Sequence, residues 1–202
     1  MLNKQSILDN LPIIEGENTI RSWERNDLDL LSQWSSYPFP YESFNYRFRE
    51  MTPTERDQHF QHRESNANRV TFILDHDEQK AIGYLALVEI EWENRKVGNM
   101  AFRISPNLCN KGTGTWFMRK VSEFCFQLGF ITLRLDVAAS NQRAVRCYEK
   151  SGYNITGEFW QDDIKLNEYD LKQPTFDFLR PHVRSEKSIP QLRFYWMESK
   201  RA

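Results

Sequence analysis

The run Asn110-Lys111-Gly112-Thr113-Gly114-Thr115 stands at the head of an apolar helical stripe. Helix N-termini carry free N–H groups and a partial positive charge. Gly112 and Gly114 give an anion close access, and Lys111, Thr113 and Thr115 add donors, so this end can hold a pyrophosphate. A glycine pair alone is weak, because a tight strand-to-helix turn without a ligand reads the same way. The G-x-x-x-x-G-K-[ST] spacing of phosphotransferases is absent. Farther on, Tyr148 lies near the end of a short helix and can supply a proton, or it can pack on a sheet beside Ala144 and Val145. The two places together suggest an enzyme that uses a phosphate-bearing carrier.

Other reactive side chains are less well placed. Cys109 and Cys147 could in principle form an acyl-enzyme, but no histidine falls near either, and packing is the favoured reading. His59, His62, His76 and His182 are scattered without metal-ligand spacing, so no metal is expected. Asp136 sits on the polar face of an alternating strand, with Glu89 and Glu91 as rival carboxylates. Glu89, Glu91 and Glu93 form either a solvated hairpin or an acidic lip for a cationic amine, and Asp162, Asp163, Glu168 and Asp170 form a second acidic stretch.

The elements that must position these groups follow from period and caps. Residues 1–18 show no firm period and read as an N-terminal arm. Thr19 to Trp23 alternates as a strand, and Asn26-Asp27 can cap a helix with Leu28, Leu31 and Trp34 on one face. Tyr37-Pro38-Phe39-Pro40-Tyr41 cannot continue that helix. Thr52, Pro53 and Glu55 make a strong helix start, with a polar helix to about Glu64. Strands are expected over Val70–Leu74, Ala81–Ile90 and Val97–Ile104, joined by hairpin-like turns. From Gly112 the period changes: Phe117, Val121, Phe124, Cys125 and Leu128 form a helical stripe that Gly129 ends. Ile131, Leu133, Leu135 and Val137 then alternate as a half-buried strand. A short helix runs from Asn141 to Ser151, and further strands follow through Tyr153–Phe159 and Leu192–Trp196. The irregular stretch Gln161–Pro190 is long for a connection and could serve as a lid.

The 202 residues suffice for one sizeable domain, read here as 19–202. A net charge of -1 gives no field that would draw nucleic acid or an anionic membrane, and neither is expected as a partner. No apolar run approaches the roughly 18 residues of a membrane helix. The N-terminus lacks a secretory pattern and the three cysteines are odd in number, which points to reduced thiols in the cytoplasm. A monomer and a homodimer both fit.

Asn141, Ala144, Tyr148, Glu149, Gly152 and Tyr153 fall in the pattern N-x-x-A-x-x-x-Y-E-K-x-G-[FY], and Gly112 and Gly114 occupy the glycines of [RQ]-x-x-G-x-[GA]. In this combination the chain resembles the GNAT superfamily of acetyl-CoA-dependent N-acetyltransferases, over about Thr19 to Trp160 and the final strand. Cys109 departs from the family pattern at its first position, where Lys111 can compensate. The resemblance implies an α/β (α+β) fold: a mixed, mostly antiparallel sheet flanked by helices, with a V-shaped splay between parallel strands Val97–Ile104 and Ile131–Ala138. It implies acetyl-CoA as co-substrate, its pantetheine along Phe102, Arg103 and Ile104, its pyrophosphate on Asn110 to Thr115, and Asn141 beside the pantetheine arm. An amine would attack the thioester directly, Tyr148 would protonate the departing thiolate, and Asp136 would act as base, through a water if its reach is short. The Ile20-Arg21 start, Trp34 and Tyr37-Pro38-Phe39-Pro40 look most like the branch that acetylates ribosomal-protein N-termini. The acceptor is then a protein N-terminus, with a small amine of polyamine or aminoglycoside type close behind. A non-catalytic acyl-CoA-binding module is the rival, favoured by Cys109 and opposed by Tyr148.

Overall fold

Strand β4 (Gln79–Glu91) organises the first half of the chain, because its two faces are apolar for different reasons. In the computed structural model, which describes residues 2–42, 45, 47–185 and 188–201, Met1–Leu133 with Lys200–Ala202 forms one compact unit and Arg134–Ser199 another. In the first unit, β1 (Ile13–Glu15), β2 (Asn18–Ser22), β3 (Val70–His76), β4 and β5 (Lys96–Ile104) lie side by side, each antiparallel to the next. The opening residues of β6 (Thr132–Ala138) then pair parallel with β5, Lys96 opposite Thr132 and Val97 opposite Leu133. The sheet is therefore mixed and mostly antiparallel, as expected. Residues 2–18, which show no period in the sequence, form helix α1 (Lys4–Leu8) and strand β1, with Ile7 fully buried.

One face of β4 presents Tyr84 and Ala86 to helix α2 (Arg25–Ser32), and Trp23, Leu28, Leu31 and Phe48 close a core with them. The polar helix α3 (Pro53–Glu64) lies over this core, lending Phe60, whose ring centre is 4.7 Å from that of Trp23. Its start is built as the sequence predicts. The Thr52 hydroxyl accepts from Glu55 N–H, and the Glu55 carboxylate accepts from Thr52 N–H. The other face belongs to helix α4 (Thr113–Leu128), whose Phe117, Met118, Val121 and Cys125 are fully buried. Burying each large apolar side chain contributes roughly 1.5–3 kcal/mol. Gly83 lies beneath Phe117; a Cβ there would stand 3.0 Å from its ring.

The start of α2 differs from expectation. The helix begins at Arg25, and Asp27 lies inside it rather than in front, its carboxylate accepting from Glu24 N–H at 2.6 Å. The reason is Arg21 on β2. Its guanidinium donates to both Asp27 oxygens at 2.7 and 2.8 Å, and to Asp75 on β3 at 2.8 Å. Asp27 and Asp75 are almost fully buried. Their hydrogen bonds hold the Arg21 pKa above its ordinary value against the opposing effect of burial. Burial alone would push Asp75 up, but the hydrogen bonds from Arg21 and from Ala81 N–H outweigh it and hold Asp75 below its ordinary value.

The β4–β5 register runs unbroken past Glu89, with Val88 opposite Asn99 and Ile90 opposite Val97, but Glu89 itself takes φ 55° beside Gly98. A Cβ on Gly98 would stand 2.9 Å from both Cβ and carbonyl oxygen of Glu89, so this close approach of the two strands favours glycine there.

In the second unit the rest of β6 pairs with β9 (Gln191–Lys200), which also pairs antiparallel with β7 (Asn154–Asp162) and β8 (Val183–Arg184). Helix α5 (Gln142–Lys150) follows β6. Phe159 stacks on Trp196 at 4.6 Å, and the Arg134 guanidinium covers the Trp196 ring at 3.9 Å. The stretch expected to be irregular is made of short 3-10 turns pinned by buried Leu166 and Leu179, and Asp163 N–H donates to Pro190 O at 2.9 Å across its base.

Candidate active site

The proposed carrier-binding residues of the first unit gather at the end of β5 and the start of α4. β5 ends at Ile104, a 3-10 turn spans Pro106–Leu108, and the backbone turns left-handed at Asn110 (φ 63°) and Gly112 (φ 85°) to launch the helix. Gly112 suits this conformation because side chains rarely adopt it, and its surroundings are open. Asn110, Lys111 and Gly112 are exposed, and Thr113, Gly114 and Thr115 are half-buried. The N-cap of α4 is Gly112, which has no side chain to cap it, and no acidic residue lies in the first turn. Its positive end is thus available to a ligand anion, whereas α3 satisfies its own end with Thr52 and Glu55. One turn in, Trp116 Nε1–H donates to Glu15 of β1 at 3.1 Å, and Lys120 pairs with the same carboxylate at 2.6 Å. Those contacts, led by Lys120, lower the Glu15 pKa.

Along β5, Phe102 lies against Phe117 with ring centres 6.0 Å apart, and Arg103 donates to Phe102 O at 2.7 Å. The Ile104 carbonyl accepts from the Tyr37 hydroxyl at 2.5 Å. The aromatic loop after α2 therefore reaches the same strand end. Cys109 points its Sγ at Ser105 O, 3.8 Å away. Glu89 and Glu91 are exposed at the end of β4, and Glu91 accepts from Asn94 at 2.8 Å with Lys96 3.8 Å away.

The remaining candidates belong to the second unit. Asn141 caps α5: its Oδ1 accepts from Ala144 N–H at 3.2 Å, which leaves its amide N–H₂ as the group that can face a ligand. Tyr148 is 6% exposed and lies 6.3 Å, ring to ring, from Tyr153, whose N–H donates to Tyr148 O. Asp136 is half-buried on the face of β6 opposite Leu133 and Leu135. His182 accepts at Nδ1 from Arg193 at 2.9 Å, because a guanidinium only donates. Burial and the Arg193 charge lower its pKa.

Cys125 is fully buried, and burial pushes its thiol pKa up. Among the described residues no disulfide joins Cys109, Cys125 or Cys147. Among the described residues no group of three His, Cys, Asp or Glu side chains is placed to hold a metal, and no helix is long and apolar enough to cross a membrane. Sequence spacing sets His59 aside with the other histidines and does not single out Arg63 or Arg69. The one usable signal is a lone arginine immediately before the buried strand β3.

A mostly antiparallel sheet with one parallel pair and a helix launched from an uncapped glycine turn defines an acyltransferase that draws on a nucleotide-bearing thioester. The sequence profile of the Acetyltransferase (GNAT) family matches residues 28–153, and the chain belongs to that family. It is an acetyl-CoA-dependent N-acetyltransferase with acetyl-CoA as co-substrate. A spermidine N(1)-acetyltransferase of Vibrio cholerae is 27% identical over 167 residues, 77% of this chain and 90% of that protein. The peptidyl-lysine N-acetyltransferase YiaC of Escherichia coli strain K12 is 25% identical over 164 residues, 79% of this chain and 99% of that one. In fold the chain is similar to a solved spermidine N-acetyltransferase from Vibrio cholerae in complex with CoA and spermine. The TM-score is 0.63 at 19% identity, over 90% of this chain and 95% of that one. These relatives are spermidine and peptidyl-lysine enzymes, not specifically of the branch that acetylates ribosomal-protein N-termini.

Proposed function

We propose that the enzyme transfers acetyl from acetyl-CoA to a primary amine by direct attack in a ternary complex, with residues 19–202 acting as one catalytic domain in the cytoplasm. The start of α4 carries this reading: a left-handed Gly112, exposed Lys111 and an uncapped, acid-free first turn suit a pyrophosphate. Asn110 to Thr115 hold that group, Phe102, Arg103 and Ile104 line the pantetheine, and the Asn141 amide donates to it. Tyr148 protonates the departing thiolate, a reasonable transfer because thiol and phenol pKa values lie near about 8.5 and 10. Asp136 draws the proton from the amine, directly or through water. The names of the relatives support a small amine such as a polyamine, or an amine on a protein, as acceptor. A protein N-terminus belongs to the second group.

Release of CoA thiol, followed across polyamines, aminoglycosides, lysine peptides and N-terminal peptides, tests the reading. Turnover on one class identifies the acceptor. Tight acetyl-CoA binding with silence on every amine would instead favour a binding module, the reading to which the departure at Cys109 lends weight. Tyr148→Phe should lower kcat by roughly a hundredfold or more, within the range of general acid catalysis, while acetyl-CoA KM holds. Unaltered turnover in that variant removes Tyr148 from the mechanism. Asp136→Asn should change the pH–rate profile, and an unchanged profile dismisses it as base.

A further inference from the structure

On and beside α3 the first unit holds two arginines that, among the described residues, have no counter-charge. Arg69, the residue before β3, is 4% exposed. Among the described residues its one side-chain hydrogen bond is Nη2–H to the Tyr84 hydroxyl at 2.7 Å, and its Nε is buried without a partner. Arg63, half-buried on α3, also has a buried Nε without a partner. Among the described residues neither guanidinium has a carboxylate in ion-pair range.

His59 lies one turn before Arg63 on α3. Its ring packs edge-on against Phe48 at 5.4 Å, and Phe48 packs against Tyr84 at 6.4 Å, so Arg69, Tyr84, Phe48 and His59 form one continuous group. Burial first, then the charges of Arg63, Arg69 and His62, lower the His59 pKa to about 4. At neutral pH it adds no charge and can donate a hydrogen bond. The one acid adjacent in sequence is committed elsewhere: Glu64 accepts from Trp23 Nε1 at 2.8 Å and pairs with Lys4 at 3.2 Å.

A buried cation without a partner is costly, and the simplest compensation is an anion that arrives from outside. Tyr84 stands opposite Arg103 across β4 and β5, so the phenol that holds Arg69 belongs to a residue beside the strand expected to line the pantetheine. A polycation would be repelled here.

We propose that Arg63, Arg69 and His59 form an oxyanion site that binds a carboxylate carried by the amine acceptor. The acceptor is therefore an acid-bearing amine, such as an amino acid or an acidic peptide, rather than a bare polyamine. This rests on the acetyl-transfer reading above.

The test compares kcat/KM of the intact enzyme, at saturating acetyl-CoA, on amines matched except for the acid: lysine against cadaverine, γ-aminobutyrate against butylamine, and peptides beginning Ser-Asp against Ser-Asn. The acid-bearing member of at least one pair should be preferred about ten- to a hundredfold, the range of a charge-assisted hydrogen bond. Arg63→Gln should erase that preference with acetyl-CoA KM unchanged, and Arg69→Met should do the same. Equal turnover within every pair, or a preference that survives Arg63→Gln, overturns the inference while acetyl transfer stands. Silence on all amines sinks the transfer reading itself. The site is then judged by titrating glutarate and inorganic phosphate into the acetyl-CoA-bound protein. Saturable binding lost in Arg63→Gln upholds anion recognition by the cluster, and absence of binding overturns it.

Discussion

Two arginine sites of the first unit show opposite solutions to the same problem. Arg21 is held by two buried carboxylates, Asp27 and Asp75, which it ties together from α2 and β3. Arg69 is more deeply buried and, among the described residues, hydrogen-bonds only a phenol, and the Nε of half-buried Arg63 is likewise buried without a partner. The first arrangement is complete within the chain and serves the fold. The second is incomplete, and incompleteness at a buried charge suggests a ligand. The same contrast separates the helix starts. α3 satisfies its own N–H groups through Thr52 and Glu55, whereas the N-cap of α4 is Gly112, which has no side chain to cap it.

The contrast breaks most visibly at Asp75. Asp75→Ala should strip Arg21 of one partner and Ala81 N–H of its acceptor, costing about 3 kcal/mol in urea unfolding, the low end for a broken buried pair. A loss below 1 kcal/mol would mean that Arg21 gains little from this carboxylate. Next in size is an acid placed in the first turn of α4. Thr113→Asp should satisfy the helix end internally and raise acetyl-CoA KM at least about tenfold with no loss of thermal stability. Unchanged KM would move the pyrophosphate elsewhere.

The pH dependence of stability sharpens the comparison further. Asp75 sits below its ordinary 3.8 in the folded chain, so its contribution is full above that value and is lost as pH falls through the lower folded value. His59 acts earlier. The unfolded chain takes up its proton near 6.5 and the folded chain only near about 4, so stability falls as pH drops across that window. His59→Phe should flatten this part of the profile, read as unfolding midpoint against pH, and an unaltered slope would deny that the ring is buried neutral. The smallest effect on stability is expected at Arg69. Arg69→Met removes an unanswered charge and should shift unfolding by less than about 1 kcal/mol in either direction, in marked contrast to Asp75→Ala.

Local patterns carried most of the fold. The stripe of Phe117, Val121 and Cys125, the capping box at Thr52 and the alternation of β6 are each decided within a few residues, and they appear as expected. The start of α2 was misjudged because Asp27 answers to Arg21, whose other partner Asp75 lies 54 residues along the chain. Strand β1 is three residues long and owes its existence to pairing with β2, which no periodicity could announce. At the candidate site, the glycine turn was legible because Gly112 does a local task. Arg69 was not, because its burial depends on Tyr84 and Phe48 arriving from other elements.

Glu15 links places far apart in the chain. It receives Trp116 Nε1–H across 101 residues and pairs with Lys120, so the short edge strand β1 braces the first turns of α4. Short edge strands are among the first parts of a fold to open. Each time β1 opens, the brace is released and the start of α4 loosens with it. A molecule that stiffens this helix start should therefore slow amide exchange at Ile13–Glu15, a distant reporter of occupancy that requires no label at the site itself.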